Sequence, residues 1–262
     1  MAYIIYFFVI LVATTIGALT GMGGGVIIKP LLDMLGDFDV ASINLLSSIT
    51  VFIMALVSIS KQLREKSVPK LKIAMPLAIG ALIGGRAGQN ILADIIVYLK
   101  IDRTVIVVQN ICLAIVILAV FLYMLKGDRR PTLGLQGVVP ALLTGAVLGA
   151  LSTFLGIGGG PANVALLIFV CSYDIKQATA YSIIIILFAQ ASKLVSIMLS
   201  SNLFIHDLSM FPVMVIGAVL GGWTGSHLNK TLPGEKINKA FIGVQVIVFV
   251  TCLLNIFNYL NL

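Results

Sequence analysis

Long apolar runs separated by short polar stretches form the main pattern of this chain. Most of these runs are about twenty residues long, the length that a helix needs to cross the hydrocarbon core of a bilayer. Two glycine triplets, at 23–25 and 158–160, interrupt the pattern, each between a long apolar run and a shorter one. Three adjacent glycines end a helix, and non-helical backbone is tolerated inside a membrane only where it contacts protein or water. The pattern therefore predicts two helical hairpins that turn at the glycines within the membrane.

The second half of the chain repeats the first at an offset of about 135 residues. The two triplets match each other, the segment 80–85 matches 217–222, and Gln109 matches Gln245. Self-similarity that keeps its order and spacing across both halves indicates an internal structural repeat.

Each half is predicted to form one glycine-broken hairpin followed by three membrane-spanning helices, within a single all-α polytopic membrane domain. The first half, residues 1–130, has its hairpin at 2–36 and its helices at 40–60, 71–92 and 104–125. The second half, residues 131–262, has its hairpin at 134–172 and its helices at 176–200, 208–228 and 238–260. The helix after each triplet would extend only about 17 to 20 Å, too little to cross the membrane alone.

Basic residues are concentrated around 61–72, 126–130 and 230–239. Positively charged loops lie preferentially in the cytoplasm, so these segments are predicted to be cytoplasmic and those around Asp94 and 202–207 extracytoplasmic. The two halves then have opposite orientations, as an inverted-topology repeat whose hairpins enter from opposite faces. Both termini then fall outside the cytoplasm. The apolar start lacks a basic region, and we interpret it as the first helix rather than as a removed signal.

Composition supports a membrane protein and argues against several other classes. Hydrophobic residues make up 60% of the chain and charged residues 10%. The formal net charge of +7 is explained by the cytoplasmic loops, so nucleic acid is not an expected partner. Cys112, Cys171 and Cys252 are isolated, without a histidine cluster nearby, so we expect no metal and no cofactor. No set of nucleophile and base is apparent, so an enzyme is not expected.

The glycine breaks and the charges within the apolar runs favour an anionic ligand. A helix that starts after a break presents unpaired N–H groups and the positive end of its dipole. Lys29, Arg86, Lys193 and Asp33 lie in apolar runs, where charges are costly and usually functional or paired. Their surplus is cationic, which predicts an anionic substrate near the midplane. Two simpler interpretations stay open: Lys29 and Asp33, one turn apart, pair with each other, and Arg86 or Lys193 extends to the outer interface.

Polar residues in both halves complete the predicted substrate site, and Asp33 is the candidate for coupling to protons. Each polar side chain could instead join helices through hydrogen bonds worth up to about 2 kcal/mol. The glycines in 80–88 and 217–225 are interpreted as helix-packing positions, and His206 and His227, near segment ends, are expected to have no role. The candidate substrate-binding residues are Gly23, Gly24, Gly25, Lys29, Asn44, Ser47, Ser48, Gln109, Gly158, Gly159, Gly160, Asn163, Thr179, Ser182, Gln190, Lys193 and Gln245.

A doubled motif, Gly-x-Gly-Gly-Gly at 21–25 and 156–160, is followed in each half by a polar helix start and then by Gly-Ala-x-x-Gly-Gly. This arrangement resembles the TauE/SafE sulfite exporter family over essentially the whole chain. The resemblance implies a bacterial or archaeal inner-membrane carrier of small sulfur-containing anions, such as sulfite or organosulfonates, with export as the commoner direction. One departure is Lys29-Pro30, which stands where the second half has Val164-Ala165. It leaves open whether both glycine breaks contact the anion equally.

Together these observations predict a secondary transporter, an exporter of small sulfur-containing anions that works by alternating access around a midplane site. The alternatives are an anion channel and an importer of a sulfonate, thiosulfate or other small anion. Proton coupling and movement of the anion down its own gradient both stay open, as does assembly into a homo-oligomer. The expected partners are the anion and the lipid bilayer.

Overall fold

A computed structural model of the chain describes residues 2–65, 70–99, 102–135, 137–157, 159–199 and 209–261. The regular structure within these ranges is entirely helical, with ten α-helices, a short 3-10 turn at Gly127–Arg129 and no β-strand. The helices are α1 (Ala2–Thr20), α2 (Gly25–Leu35), α3 (Val40–Arg64), α4 (Leu71–Leu99), α5 (Asp102–Leu125), α6 (Val138–Phe154), α7 (Pro161–Cys171), α8 (Ile175–Leu199), α9 (Phe211–Thr231) and α10 (Gly234–Asn261).

Six of the described helices are long and apolar enough to cross a membrane: α3, α4, α5, α8, α9 and α10. This confirms the prediction of an all-helical protein with several candidate membrane spans. The remaining four form two consecutive pairs that join at glycines. We refer to residues 21–25, between α1 and α2, as the first break, and to residues 156–160, between α6 and α7, as the second break.

Several helix boundaries differ from those predicted: α3 ends at Arg64 rather than at 60, α9 spans Phe211–Thr231 rather than 208–228, and three further boundaries have a local cause. α4 continues well past 92, because Asp94 is exposed on the helix surface and does not interrupt it. α6 begins at 138 rather than 134, because the N–H groups of Leu133 and Leu135 bond to carbonyls at the end of α7. α10 begins at 234 rather than 238, directly after Pro233, whose carbonyl accepts the first hydrogen bonds of that helix. Much of the basic segment 230–239 therefore belongs to a helix rather than to a loop.

The long helix after each hairpin starts at an aspartate in matching positions of the two halves. The Asp39 carboxylate accepts hydrogen bonds from the N–H groups of Ala41 and Ser42, at 3.1 and 3.2 Å. Asp174 accepts two equivalent bonds at the start of α8, at 2.8 and 2.9 Å. An aspartate in this capping position stabilises a helix start by about 1 kcal/mol. These two residues therefore fix where α3 and α8 begin.

Stripes of glycine bring four helices into close contact. In α4, a Cβ atom at Gly80, Gly84 or Gly88 would collide with the backbone of α6. In α9, Gly221 and Gly225 approach α1 in the same way. These glycines therefore serve helix packing, which confirms the interpretation made from their spacing.

Helix contacts recur in matching pairs between the two halves. The pair α1 and α9 matches α6 and α4, α3 and α9 matches α8 and α4, and α2 and α10 matches α7 and α5. The short helices α2 and α7 pack against α3 and α8 respectively, so both breaks lie inside the bundle. The outer faces of the long helices expose large apolar side chains, among them Ile83, Leu220 and Ile247. Such an apolar exterior fits a lipid environment.

Candidate functional site

The two breaks contact each other in the interior of the protein. A Cβ atom at Gly25 would collide with the carbonyl of Ile157, and one at Gly159 would lie 3.0 Å from the carbonyl oxygen of Met22. Neither α2 nor α7 has a side chain that caps its first turn. Gly158 lies outside the described residues.

The other glycines of the triplets have local roles in packing and backbone shape. Gly23 adopts a left-handed φ of 75° and donates its N–H to the carbonyl of Gly17 at 3.3 Å. Gly24 directly precedes α2 and abuts Thr14, and Gly160 directly precedes α7. Close packing alone therefore explains much of the glycine content of the breaks, whether or not an anion binds there.

α8 holds the first break through two of the predicted site residues. The Ser182 hydroxyl donates to the carbonyl of Gly21 at 2.5 Å, and the Thr179 hydroxyl lies 2.6 Å from the carbonyl of Ile175 and 3.4 Å from that of Thr20. Gly21 has a left-handed φ of 72° and no room for a Cβ atom against Thr179. Both hydroxyls are thus engaged by backbone carbonyls.

The matching contact at the second break is with Asn44, whose side-chain amide is unpaired among the described residues, as is the hydroxyl of Ser47 beside Gly25 of the first break. Gly156, with a φ of 69°, abuts the side chain of Asn44 at the start of α3. Within the described part of the chain, neither amide atom of Asn44 nor the hydroxyl of Ser47 has a hydrogen-bond partner, although both side chains are buried. Ser48 instead donates its hydroxyl to the carbonyl of Asn44 at 2.5 Å. Buried polar groups are normally paired, so Asn44 and Ser47 are in position to bind a ligand.

Two buried lysines lie beside these unpaired groups. The Cε atom of Lys29 would lie 3.0 Å from a Cβ atom added to Gly156, and its ammonium pairs with Asp33 at 2.8 Å. Lys193 is fully buried, and its ammonium lies 3.5 Å from the carbonyl oxygen of Asn44. None of the described carboxylates lies within 4.0 Å of the Lys193 ammonium, and Lys29 is close enough to repel it. The position of Lys193 thus differs from the alternative in which it extends to the interface.

Gln190 lies one helical turn before Lys193 on α8 and is also fully buried. Neither atom of its amide group has a partner among the described residues. Ile186, a further turn earlier, contacts Gly159, so this face of α8 runs along the second break. We refer to Lys29, Asn44, Ser47, Gln190 and Lys193 as the Lys193 site.

Two asparagines connect Asp33 to the long helices. Neither was among the candidate residues named from the sequence. Asn110 of α5 donates its amide N–H to Asp33 Oδ2 at 3.2 Å. Asn255 of α10 donates to the carbonyl of Pro30 at 2.9 Å and to the side-chain oxygen of Asn110 at 3.3 Å. The hydroxyl of Tyr259 donates to the backbone carbonyl of Asp33 at 2.7 Å. Their location in apolar spans, where amides need partners, was the signal that could have identified both asparagines.

The remaining predicted site residues are buried but have no described contact with the Lys193 site. Gln109 donates its side-chain N–H to the carbonyl of Phe154 at 2.9 Å, next to the second break. Asn163 has an unpaired amide nitrogen, and both amide atoms of Gln245 are unpaired, counting only the described residues.

Arg86 is exposed on the surface of α4 and so lies apart from the site. His206 lies outside the described residues, and His227 is exposed.

A cavity of about 700 Å³ opens between the ends of α3 and α9 and the start of α8. We refer to it as the basic vestibule, because Lys61, Lys70, Lys176 and Lys230 line it. Lys230 pairs with the vestibule residue Glu65 at 3.1 Å.

Aromatic residues hold the lining of the basic vestibule in place. Lys61 donates to the carbonyl of Trp223 at 3.1 Å and lies over its ring. The rings of Tyr173 and Tyr181 stack with centroids 4.9 Å apart, and burial raises the pKa of Tyr173, which keeps the phenol neutral. Ile183, the residue after Ser182, also lines the cavity. The inner end of the vestibule therefore lies beside the first break.

The sequence is similar to a known protein family. The family model described as Sulfite exporter TauE/SafE matches residues 6–252, nearly the whole chain. No curated protein matched the sequence. Within the described residues, no group of three or more His, Cys, Asp or Glu side chains is placed to hold a metal ion.

Proposed function

The chain belongs to the sulfite exporter TauE/SafE family, and on this premise we propose that it is a secondary transporter that exports small sulfur-containing anions, such as sulfite or an organosulfonate. Membership of a family of membrane transporters and six candidate membrane spans support transport in general. The observation that carries the proposal is the fully buried Lys193, whose ammonium has no carboxylate partner among the described residues. Isolated buried charges are strongly unfavourable, so a bound anion would stabilise this arrangement.

The proposed anion site is the Lys193 site. The amide N–H groups of Asn44 and Gln190 and the hydroxyl of Ser47 are donors without described acceptors, and an anion with several oxygens would accept from them. Hydrogen bonds to an ionised acceptor are about twice as strong as neutral ones. The second break contributes the backbone around Gly156, whereas Thr179 and Ser182 at the first break are engaged by carbonyls. We therefore propose that the two breaks contribute unequally to binding.

We also propose that the two halves form inverted repeats in the inner membrane, with both termini outside the cytoplasm. The matching helix contacts of the two halves support a pseudo-twofold relation. The lysines of the basic vestibule support a cytoplasmic location for that cavity, because basic residues are retained on this side. An exported anion would then enter through the vestibule.

Alternating access would follow from movement at the first break. The bonds from Thr179 and Ser182 hold this break against α8, between the vestibule and the Lys193 site. Release of these two bonds would join the cavity to the site. The proposed coupling residue is Asp33, which is buried beside Lys29 and has one carboxylate oxygen without a described partner.

Counterflow in proteoliposomes tests the proposed function. Vesicles that contain the purified protein are loaded with unlabelled sulfite and diluted into a trace of labelled sulfite. A carrier transiently accumulates the label above its equilibrium level, because internal sulfite exchanges for external sulfite. Flux without such accumulation would favour a channel, and no protein-dependent flux of sulfite or of any organosulfonate would contradict the proposal.

A further inference from the structure

With Lys29 and Lys193 protonated and Asp33 ionised, the described ionisable groups of the Lys193 site and its immediate surroundings sum to a single positive charge. Lys29 and Asp33 form an ion pair at 2.8 Å, and Lys193 adds one positive charge. The nearby Cys252 thiol and Tyr259 hydroxyl are uncharged at neutral pH. Arg103, which interacts with Tyr259, is exposed to solvent and is not counted. We infer that the site selects anions with one negative charge over dianions, and that Asp33 sets this preference. The inference rests on the proposed anion site at Lys193.

Charge balance has a large effect here because the charged groups are buried. At an effective dielectric constant of about 20 and a separation of about 8 Å, one added elementary charge changes the affinity for a monovalent ion about 30-fold. A monoanion beside Lys193 makes the site neutral, whereas a dianion leaves one uncompensated negative charge away from water. Buried charges without a partner are disfavoured. A sulfonate therefore fits this charge balance better than sulfate does.

Asp33 is held in a fixed position by three helices. Its Oδ2 atom accepts from Lys29 at 2.8 Å and from Asn110 at 3.2 Å, and its backbone carbonyl accepts from Tyr259 at 2.7 Å. Two donors on one oxygen stabilise a negatively charged carboxylate. Loss of that charge, by substitution or by protonation, raises the charge of the site to two positive charges without moving Lys193. The same site would then suit a dianion.

The affinities for methanesulfonate and sulfate test this inference. Both anions are tetrahedral at sulfur, and near neutral pH the first carries one negative charge and the second carries two. Dissociation constants for each are measured on the full-length protein in lipid nanodiscs, for the wild type and for Asp33→Asn. The wild type is expected to prefer methanesulfonate. In Asp33→Asn the ratio of the two affinities should shift toward sulfate by about 30-fold, and differences in hydration cancel because the same two anions are compared.

Two control variants separate charge from other effects of the substitution. Asp39→Asn removes the same charge from an exposed position, where asparagine caps a helix as well as aspartate does, so the wild-type ratio is expected. The double variant Lys29→Gln with Asp33→Asn returns the site to one positive charge. Its ratio should also resemble that of the wild type, whatever happens to the absolute affinities.

Two results would overturn the inference and leave the proposed site in place. One is equal affinity of the wild type for both anions, a measurement that requires no variant to fold. The other is a ratio in Asp33→Asn equal to that in Asp39→Asn. If binding of both anions is unchanged in Lys193→Gln, or if the wild type binds neither, then the proposed site and the inference fail together.

Discussion

Ser47 and Ser48 are adjacent on α3 but differ in what their hydroxyls contact. Ser47 lies next to Gly25 and has no described partner, whereas Ser48 donates to the carbonyl of Asn44 one turn earlier. A hydroxyl that bonds to its own helix has little left to offer a ligand. Their sequence positions alone made both residues candidates, and the difference between them appears only in the packed structure.

Substitution of these two serines separates ligand binding from folding. Ser47→Ala should weaken anion binding by about 10-fold or more, because hydrogen bonds to charged groups contribute about 1.5 to 3 kcal/mol. The same change should leave the melting temperature nearly unchanged, since it removes a polar group that is unpaired in the unliganded protein. Ser48→Ala, the matched control, should change anion affinity by less than about 3-fold. Equal losses of affinity in the two variants would contradict a specific role for Ser47.

Other residues of the site show how far sequence reasoning extends. Lys29 and Asp33 were recognisable as an i, i+4 pair, and the ion pair at 2.8 Å bears out that interpretation. Burial of Lys193 could not be derived, because a lysine in an apolar helix can equally extend its ammonium to the interface. Thr179 and Ser182 were chosen for their type and repeat position, yet their hydroxyls bond to backbone carbonyls. Which polar groups stay unpaired depends on contacts between distant segments.

At the scale of helices, glycine stripes determine which elements approach closely. α4 packs on α6 and α1 on α9 through residues that have no room for a side chain. The period of these glycines was sufficient to predict close packing, but their partner helices lie in the other half of the chain. Helix ends were harder to predict, because exposed polar residues such as Asp94 continue a helix as readily as they end it.

A pair of glycine substitutions tests the packing of α4 on α6. Gly84→Ala should destabilise the protein by about 1 to 3 kcal/mol, because its new methyl group would collide with the backbone of α6 near Ala146. Gly243→Ala, in the helix α10, should be neutral or stabilising by up to about 1 kcal/mol, since nothing lies within 4 Å of its Cβ position. Thermal unfolding in detergent measures both. Similar melting temperatures for the two variants would contradict this packing.

At the scale of the whole molecule, the matching contacts of the two halves relate one glycine-broken hairpin to the other. The internal repeat made this arrangement predictable from the sequence. The proposed asymmetry was less accessible: among the described residues, the unpaired amide of Asn44 lies beside the second break, whereas the hydroxyls of Thr179 and Ser182 at the first break are engaged by carbonyls. Lys29-Pro30, which stands where the second half has Val164-Ala165, was a sequence signal of that asymmetry.

Sidedness of labelling tests the proposed inverted orientation. Single cysteines are placed at the exposed positions Asp94 and Lys126 after the three native cysteines are replaced by alanine. A membrane-impermeant maleimide should label Asp94→Cys in intact cells but Lys126→Cys only after permeabilisation, because basic loops are retained in the cytoplasm. The opposite pattern would reverse the proposed topology and place the basic vestibule outside.

We propose that an anion crosses the membrane by binding at the buried ammonium of Lys193. Sulfite counterflow by Lys193→Gln tests it most directly, with Lys72→Gln as a control that removes the same charge from an exposed position. Loss of one partner from a buried charge pair costs about 2 to 5 kcal/mol. We therefore expect exchange by Lys193→Gln to fall at least about 30-fold and that by Lys72→Gln to match the wild type. Counterflow by folded Lys193→Gln at the wild-type rate would contradict the account.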